Sequence, residues 1–211
     1  MKPFSWYHVI AAAKEKIYKS MTLLHNSVLL TVLMSLLVGA MIVYGSDPEL
    51  ITDFVSVDVT PMDGNFFTFT GFRRGLSSGL GEIDIKTAYV SDFPALQGLG
   101  ISYALMYFQP GGLLDPHFHP RASKLIYVIQ GTLTVGFVDS TDKHFNQTLQ
   151  ADDVFVVPRC MVHYMVNLDP HKEVKVIFSF SSANPGNVNL PSNLLRSGIP
   201  QLVLEKSFSV V

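Results

Sequence analysis

His117-Phe118-His119 places two imidazoles at i and i+2, positions that face the same side of an extended chain. A third histidine, His163, follows a further turn-punctuated strand pattern. Three neutral imidazoles converging inside a small β-barrel form a nitrogen-donor set that suits Zn, Mn, Fe or Cu. The same stretch carries Lys124, a cation that opposes any bound dication. Cys160, three residues before His163, reads as a small, partly buried filler in a turn, with ligation or oxidation as its alternative use. Asp115 could pair with Lys124 if its side chain turned inward. His8, His25, His144 and His171 have no convergent partners in sequence and read as exposed. Pro120 and Arg121 read as turn-setting residues beside the histidines.

The elements that must position these groups are short. Ile101–Phe108, Leu125–Ile129, Leu133–Val138, Phe145–Leu149, Val154–Val157, Tyr164–Asn167 and Val174–Phe180 are β-rich runs separated by Gly, Pro and Asp turns. Many short strands at close spacing predict an all-β antiparallel sandwich or barrel. Residues 181–195 read as an exposed crossing loop, and Leu202–Val211 as a short C-terminal helical segment. Residues 46–100 read as irregular structure with short strands. Their aromatic cluster Phe66-Phe67-Thr68-Phe69 reads as core or subunit interface.

The chain divides into an N-terminal extension and leader, 1–45, and one domain, 46–211. Val28–Tyr44 carries no charge; Lys2, Lys14, Lys16 and Lys19 precede it and Gly45-Ser46-Asp47-Pro48 follows. That order of positive, apolar and small-residue regions predicts a signal peptide cut before Ser46, with residues 1–20 as an upstream extension. An uncleaved anchor is the alternative, and it is the one reading that brings in a membrane. Both readings place residues 46–211 outside the cytosol. Of the 211 residues, 48% are hydrophobic; the net charge is −2 and the 15 Lys and Arg are scattered, which excludes a nucleic-acid binder. With Cys160 as its one cysteine, the domain has no internal disulfide. Asn146-Gln147-Thr148 is a glycosylation sequon, which makes Asn146 the candidate glycan acceptor.

Two spaced motifs carry a family resemblance. Gly111, His117-Phe118-His119, Lys124 and Gly131 follow the first cupin motif, with Lys in place of Glu. Asp152, Pro158-Arg159-Cys160, His163 and Asn167 follow the second, with Asp and Cys in place of two glycines. The flanks FPALQGLGISYA, PGGLLDPHFHPRAS and SSANPGNVNLPSNLL resemble plant germin-like proteins. The resemblance implies a single cupin β-jelly-roll barrel, secreted to the apoplast and assembled as trimers or hexamers. It implies Mn held by His117, His119 and His163, with Lys124 at the position of the Glu ligand. It also implies that Leu114 and Ala104 stand where oxalate oxidases place the asparagines that hold oxalate. Val55 occupies the position of a family disulfide cysteine, and the tail is short of the helical segment that helps clasp subunits. The expectation is a wall-associated or storage-type protein with an impaired manganese site and weak or no catalysis. A superoxide dismutase-like oxidoreductase at a three-His centre, with Zn or Cu as alternative ions, is the second reading; oxalate oxidase ranks last.

Overall fold

The computed structural model describes residues 6–41, 47, 50–55, 63–73 and 83–209. It divides the chain into two units, Met1–Gly45 and Ser46–Val211. The first contains α1, Trp6–Met41, with an exposed Glu15–Lys19 ion pair of 2.7 Å at i,i+4 spacing. Among the described residues no helix is long and apolar enough to cross a membrane. The expected cleavage point before Ser46 lies outside the described residues, as do stretches 56–62 and 74–82 of the irregular region.

The second unit is all-β apart from short helices. Its strands are β1 (Ile83–Ala88), β2 (Ser102–Phe108), β3 (Leu113–Phe118), β4 (Lys124–Gln130), β5 (Leu133–Val138), β6 (His144–Leu149), β7 (Val154–Val157), β8 (Val162–Val166), β9 (Val174–Phe180) and β10 (Val188–Asn189). They form two antiparallel five-stranded sheets, ordered β1-β2-β9-β4-β7 and β10-β3-β8-β5-β6. Strand β9 shows why the sequence chooses this form. Val174, Val176, Phe178 and Phe180 are buried and the residues between them are half-exposed, so one face of the pleat enters the core. Met106, Phe108, Ile126, Val128, Leu133, Val135 and Met165 fill the space between the sheets. Gly131 makes the turn from β4 in one sheet to β5 in the other at φ +86°, and a Cβ there would lie 2.8 Å from the Glu173 carbonyl oxygen.

Three readings need correction. Segment 181–195 is not an exposed crossing loop: Ser182 and Ala183 are buried, β10 pairs with β3, and α2 (Leu190–Arg196) starts at an Asn189 cap that accepts the Ser192 amide. Of the two uses expected for Phe66–Phe69, the main core is not one: the cluster is a satellite in which Phe54, Phe66 and Phe67, and the Phe69–Phe72 pair, meet edge-on and Phe93 lies tilted against Phe69, while the subunit interface stays an expectation. Cys160 is exposed rather than partly buried, at φ +64°. The C-terminal helical expectation corresponds to α3, Gln201–Phe208.

Candidate metal centre

His117 lies near the end of β3 and His163 on β8, and the two are direct cross-strand partners. A register shift between Leu114 and His117 absorbs Asp115 and Pro116, so the strand continues past a residue that cannot donate to the ladder. His119 follows β3 on the same face as His117. Ring centroids are 4.1 Å apart for His117–His163, 5.1 Å for His117–His119 and 5.2 Å for His119–His163. One ligand nitrogen from each lies within 4.8 Å of the others, and all three side chains are buried.

Each ring is oriented by a backbone carbonyl. Nδ1–H of His117 donates to Asp115 at 2.7 Å, that of His119 to Gly186 at 2.6 Å, and that of His163 to Met161 at 2.9 Å. A carbonyl only accepts, so the proton of each neutral ring sits on Nδ1 and Nε2 is left as an open lone pair. Nε2 of His119 and of His163 are buried with no hydrogen-bond partner. A buried acceptor left unmade costs about 1–3 kcal/mol. Orphaned Nε2 atoms beside Nδ1–H groups tied to carbonyls are the arrangement of imidazoles held ready for an ion.

Electrostatics keeps the rings neutral. Burial first and the Lys124 charge second lower His117 to about 4, His119 to about 3 and His163 to about 2. Neutral imidazole is the ligating form, so protons compete little with a metal here above pH 5.

Lys124 opens β4 and points into the barrel, 2% exposed. Its Nζ lies 3.8 Å from the centroid of the Phe178 ring, 5.6 Å from that of Phe180 and 4.0 Å from Sδ of Met165. No carboxylate among the described residues pairs with it. Asp115 turns the other way and accepts from Asn189 Nδ2 at 3.3 Å. An aromatic face offers an ammonium far less than a carboxylate does. Burial therefore prevails and pushes the Lys124 amine well below its usual 10.5. Among the described residues the interior holds three imidazoles and one amine, with no carboxylate beside them. That set fits a divalent ion accepting nitrogen donors and lacks the anionic oxygen that a hard Mn ion favours. Ala104 is fully buried and Leu114 packs against the core, so neither brings an amide to the interior.

The other singled-out residues lie apart. His144 is exposed, and its Nε2 is 3.1 Å from the Tyr164 hydroxyl. Asn146 is exposed on β6, opposite Gly136. Asn167 is a buried tie: its Nδ2 donates to the carbonyls of Phe108, Gln109 and Lys172, joining two turns. Sequence reasoning missed the Gly186 carbonyl and the Phe178–Met165 seat of Lys124. Both depend on pairings between distant strands.

Two facing antiparallel sheets around an inward cluster of three histidines define a cupin-class barrel. The Cupin family profile matches residues 77–211. Germin-like protein 9-1 of Oryza sativa subsp. japonica is 40% identical over 167 residues, covering 77% of this chain and 68% of its own. Germin-like protein 9-3 of the same species is 36% identical over 193 residues, covering 87% and 90%. A solved oxalate oxidase structure superposes with a TM-score of 0.71 at 31% identity, covering 79% of this chain and 92% of that one. The chain belongs to the germin-like proteins of the cupin family.

Proposed function

We propose that this chain is a secreted, apoplastic germin-like cupin whose manganese site is impaired, acting as a wall-associated or storage-type protein with weak or no catalysis. The observation that carries this reading is Lys124: buried, without a carboxylate partner among the described residues, and seated on Phe178 inside the barrel that holds the three histidines. In either protonation state it supplies no negative charge. Whichever ion is bound, His117, His119 and His163 would hold it through Nε2, and the group would supply Lewis acidity or one-electron chemistry. The chain's own contribution is to keep those rings neutral, oriented and screened from water.

A second reading is a superoxide dismutase-like activity at a three-imidazole Mn, Zn or Cu centre, with Cu or Mn as the redox ion. It draws on the orphaned Nε2 atoms of His119 and His163, which are ordered for ligation without help from a fourth residue. Elemental analysis of the purified secreted protein separates the two. Stoichiometric ion that disappears in His119→Ala supports the enzyme; an ion-free protein that takes up Mn only after Lys124→Glu supports the impaired site.

The homo-oligomer, a trimer or hexamer, is part of the same proposal. Leu125 and Val156 are paired on β4 and β7 and are 47% and 54% exposed, and the neighbouring Tyr127–Val154 pair extends this apolar strip. Light scattering should give a multiple of the monomer mass that falls in Leu125→Asp. Glycosylation at Asn146 is read by the mass lost on enzymatic deglycosylation and in Asn146→Gln.

A further inference from the structure

The three histidines are not oriented in the same way. His117 and His163 each donate Nδ1–H to a carbonyl two residues upstream on their own segment, at Asp115 and Met161. Their aim is built into the local chain. His119 donates instead to Gly186, 67 residues away, across 2.6 Å. Its tautomer and direction therefore depend on where segment 182–186 is held.

That segment is gripped at both ends. At one end, Asp47 Oδ1 accepts the Ser182 hydroxyl and Oδ2 accepts the Ala183 amide, each at 2.6 Å. The Ser182 hydroxyl oxygen in turn accepts the Asn184 amide at 3.1 Å, while Ser102 Oγ donates to the Ser182 carbonyl at 2.6 Å. At the other end, Arg121 donates from Nε to the Asn184 carbonyl at 2.7 Å and from Nη2 to Asn184 Oδ1 at 2.9 Å. Its backbone amide donates to the Pro185 carbonyl at 3.2 Å. Gly186, at φ +68°, lies so close that a Cβ there would be 2.9 Å from Arg121 Nη2 and from Pro120 Cγ. The Gly186 carbonyl is thus fixed between a carboxylate clasp and a guanidinium fork.

We infer that Asp47 and Arg121 are positioning residues that set the tautomer and aim of His119 through segment 182–186. Neither touches the imidazoles. Both act through the carbonyl that takes the His119 Nδ1 proton, the kind of outer contact whose loss lowers metal affinity by roughly 10- to 100-fold. The planar fork of Arg121 contacts a carbonyl and an amide oxygen at once, which a lysine cannot reproduce. The metal consequence rests on the three-imidazole centre proposed above; the tautomer consequence does not.

The test uses purified protein labelled with ¹⁵N-histidine and stripped with a chelator. Long-range ¹H–¹⁵N correlation reads which ring nitrogen of each histidine carries the proton. The expected wild-type result is Nδ1–H at all three. In Asp47→Ala and in Arg121→Ala, His119 alone should move to a tautomer mixture, with Arg121→Lys failing to restore it. Co(II), added as the metal alone and followed by its visible ligand-field bands, should then bind at least tenfold more weakly. Asn184→Ala, a surface change that removes only the Oδ1 contact, should give a smaller shift of the same kind and keeps the test open if Asp47→Ala does not fold. His119 signals unchanged in Arg121→Ala and Asn184→Ala would overturn the inference, as would equal shifts at all three histidines. Selective His119 shifts in a protein that binds no Co(II) would uphold the positioning role and remove the metal reading instead.

Discussion

If the manganese site is impaired as proposed, replacing Lys124 by Glu should strengthen Mn(II) binding. Lys124 is buried and supplies no negative charge, so the substitution adds a carboxylate and with it one unit of negative charge. At about 5 Å from a dication and an effective dielectric near 20, one unit of negative charge contributes about 7 kcal/mol. Burying the carboxylate offsets several kcal/mol of this. A net gain of about 3–4 kcal/mol corresponds to Mn(II) affinity roughly 100- to 1,000-fold higher. Titration with Mn(II), counting the free ion by its six-line EPR signal, gives the dissociation constant directly. Lys124→Met is the matched control: it removes the amine without adding charge, and should leave Mn affinity within about threefold of wild type. A gain below tenfold in Lys124→Glu would refute the reasoning. So would a Lys124→Met protein that binds Mn as well as Lys124→Glu, because repulsion by an ammonium, and not the missing anion, would then be the defect.

Three further outcomes follow from the same interior. Because His117, His119 and His163 have folded values near 4, 3 and 2 against an ordinary 6.5, the unfolded chain binds more protons below pH 6.5. Their contribution is complete above about pH 6.5 and is lost as pH falls through that window, at about 1.4 kcal/mol per histidine per unit, or about 4 kcal/mol for the three. Urea unfolding of the apo protein at pH 7.0 and 5.5 should show this, and equal stabilities would contradict it. Lys124→Met should stabilise the protein at pH 7, since burial opposes the charge that the amine carries freely in the unfolded chain; the gain should shrink as pH approaches 10.5, and a lower urea midpoint than wild type at pH 7 would contradict it. Cys160→Gly should raise stability by about 1 kcal/mol, because a side chain at φ +64° is strained by about that amount; a fall in thermal midpoint would count against it.

The site was more legible in the sequence than the elements carrying it. The i, i+2 spacing of His117 and His119 survives folding because strand parity is a local property, and His163 joins them through one cross-strand pair. Strand β9 was plain because its apolar positions alternate. Strand β3, which carries the first histidine, was not, since Asp115 and Pro116 interrupt it and only the register shift against β8 lets it continue. Segment 181–195 has loop composition, and its burial comes from Asp47, Ser102 and Arg121, partners tens of residues away. The Cys160 backbone could be anticipated from the Gly it replaces, whereas its exposure could not. Where a residue's neighbours are local, spacing predicts its surroundings. Where they are brought by distant strands, composition is silent.

The place of β9 in its sheet also governs how the chain is made. It lies between β2 and β4, pairing Phe180 with both Ser102 and Lys124, so the centre of that sheet stays open until residue 180 has emerged. At about 5–20 residues per second, roughly 4 to 14 s separate synthesis of β2 from that of β9. Until β9 arrives, β2 has only β1 beside it and β4 only β7, so the edges that carry Met106, Phe108, Ile126 and Val128 lack the central strand they share, and sheets built on such distant pairings form slowly even then. Closure of this sheet is thus a late event, coming after the His117–His163 pair on the other sheet has the strands it needs.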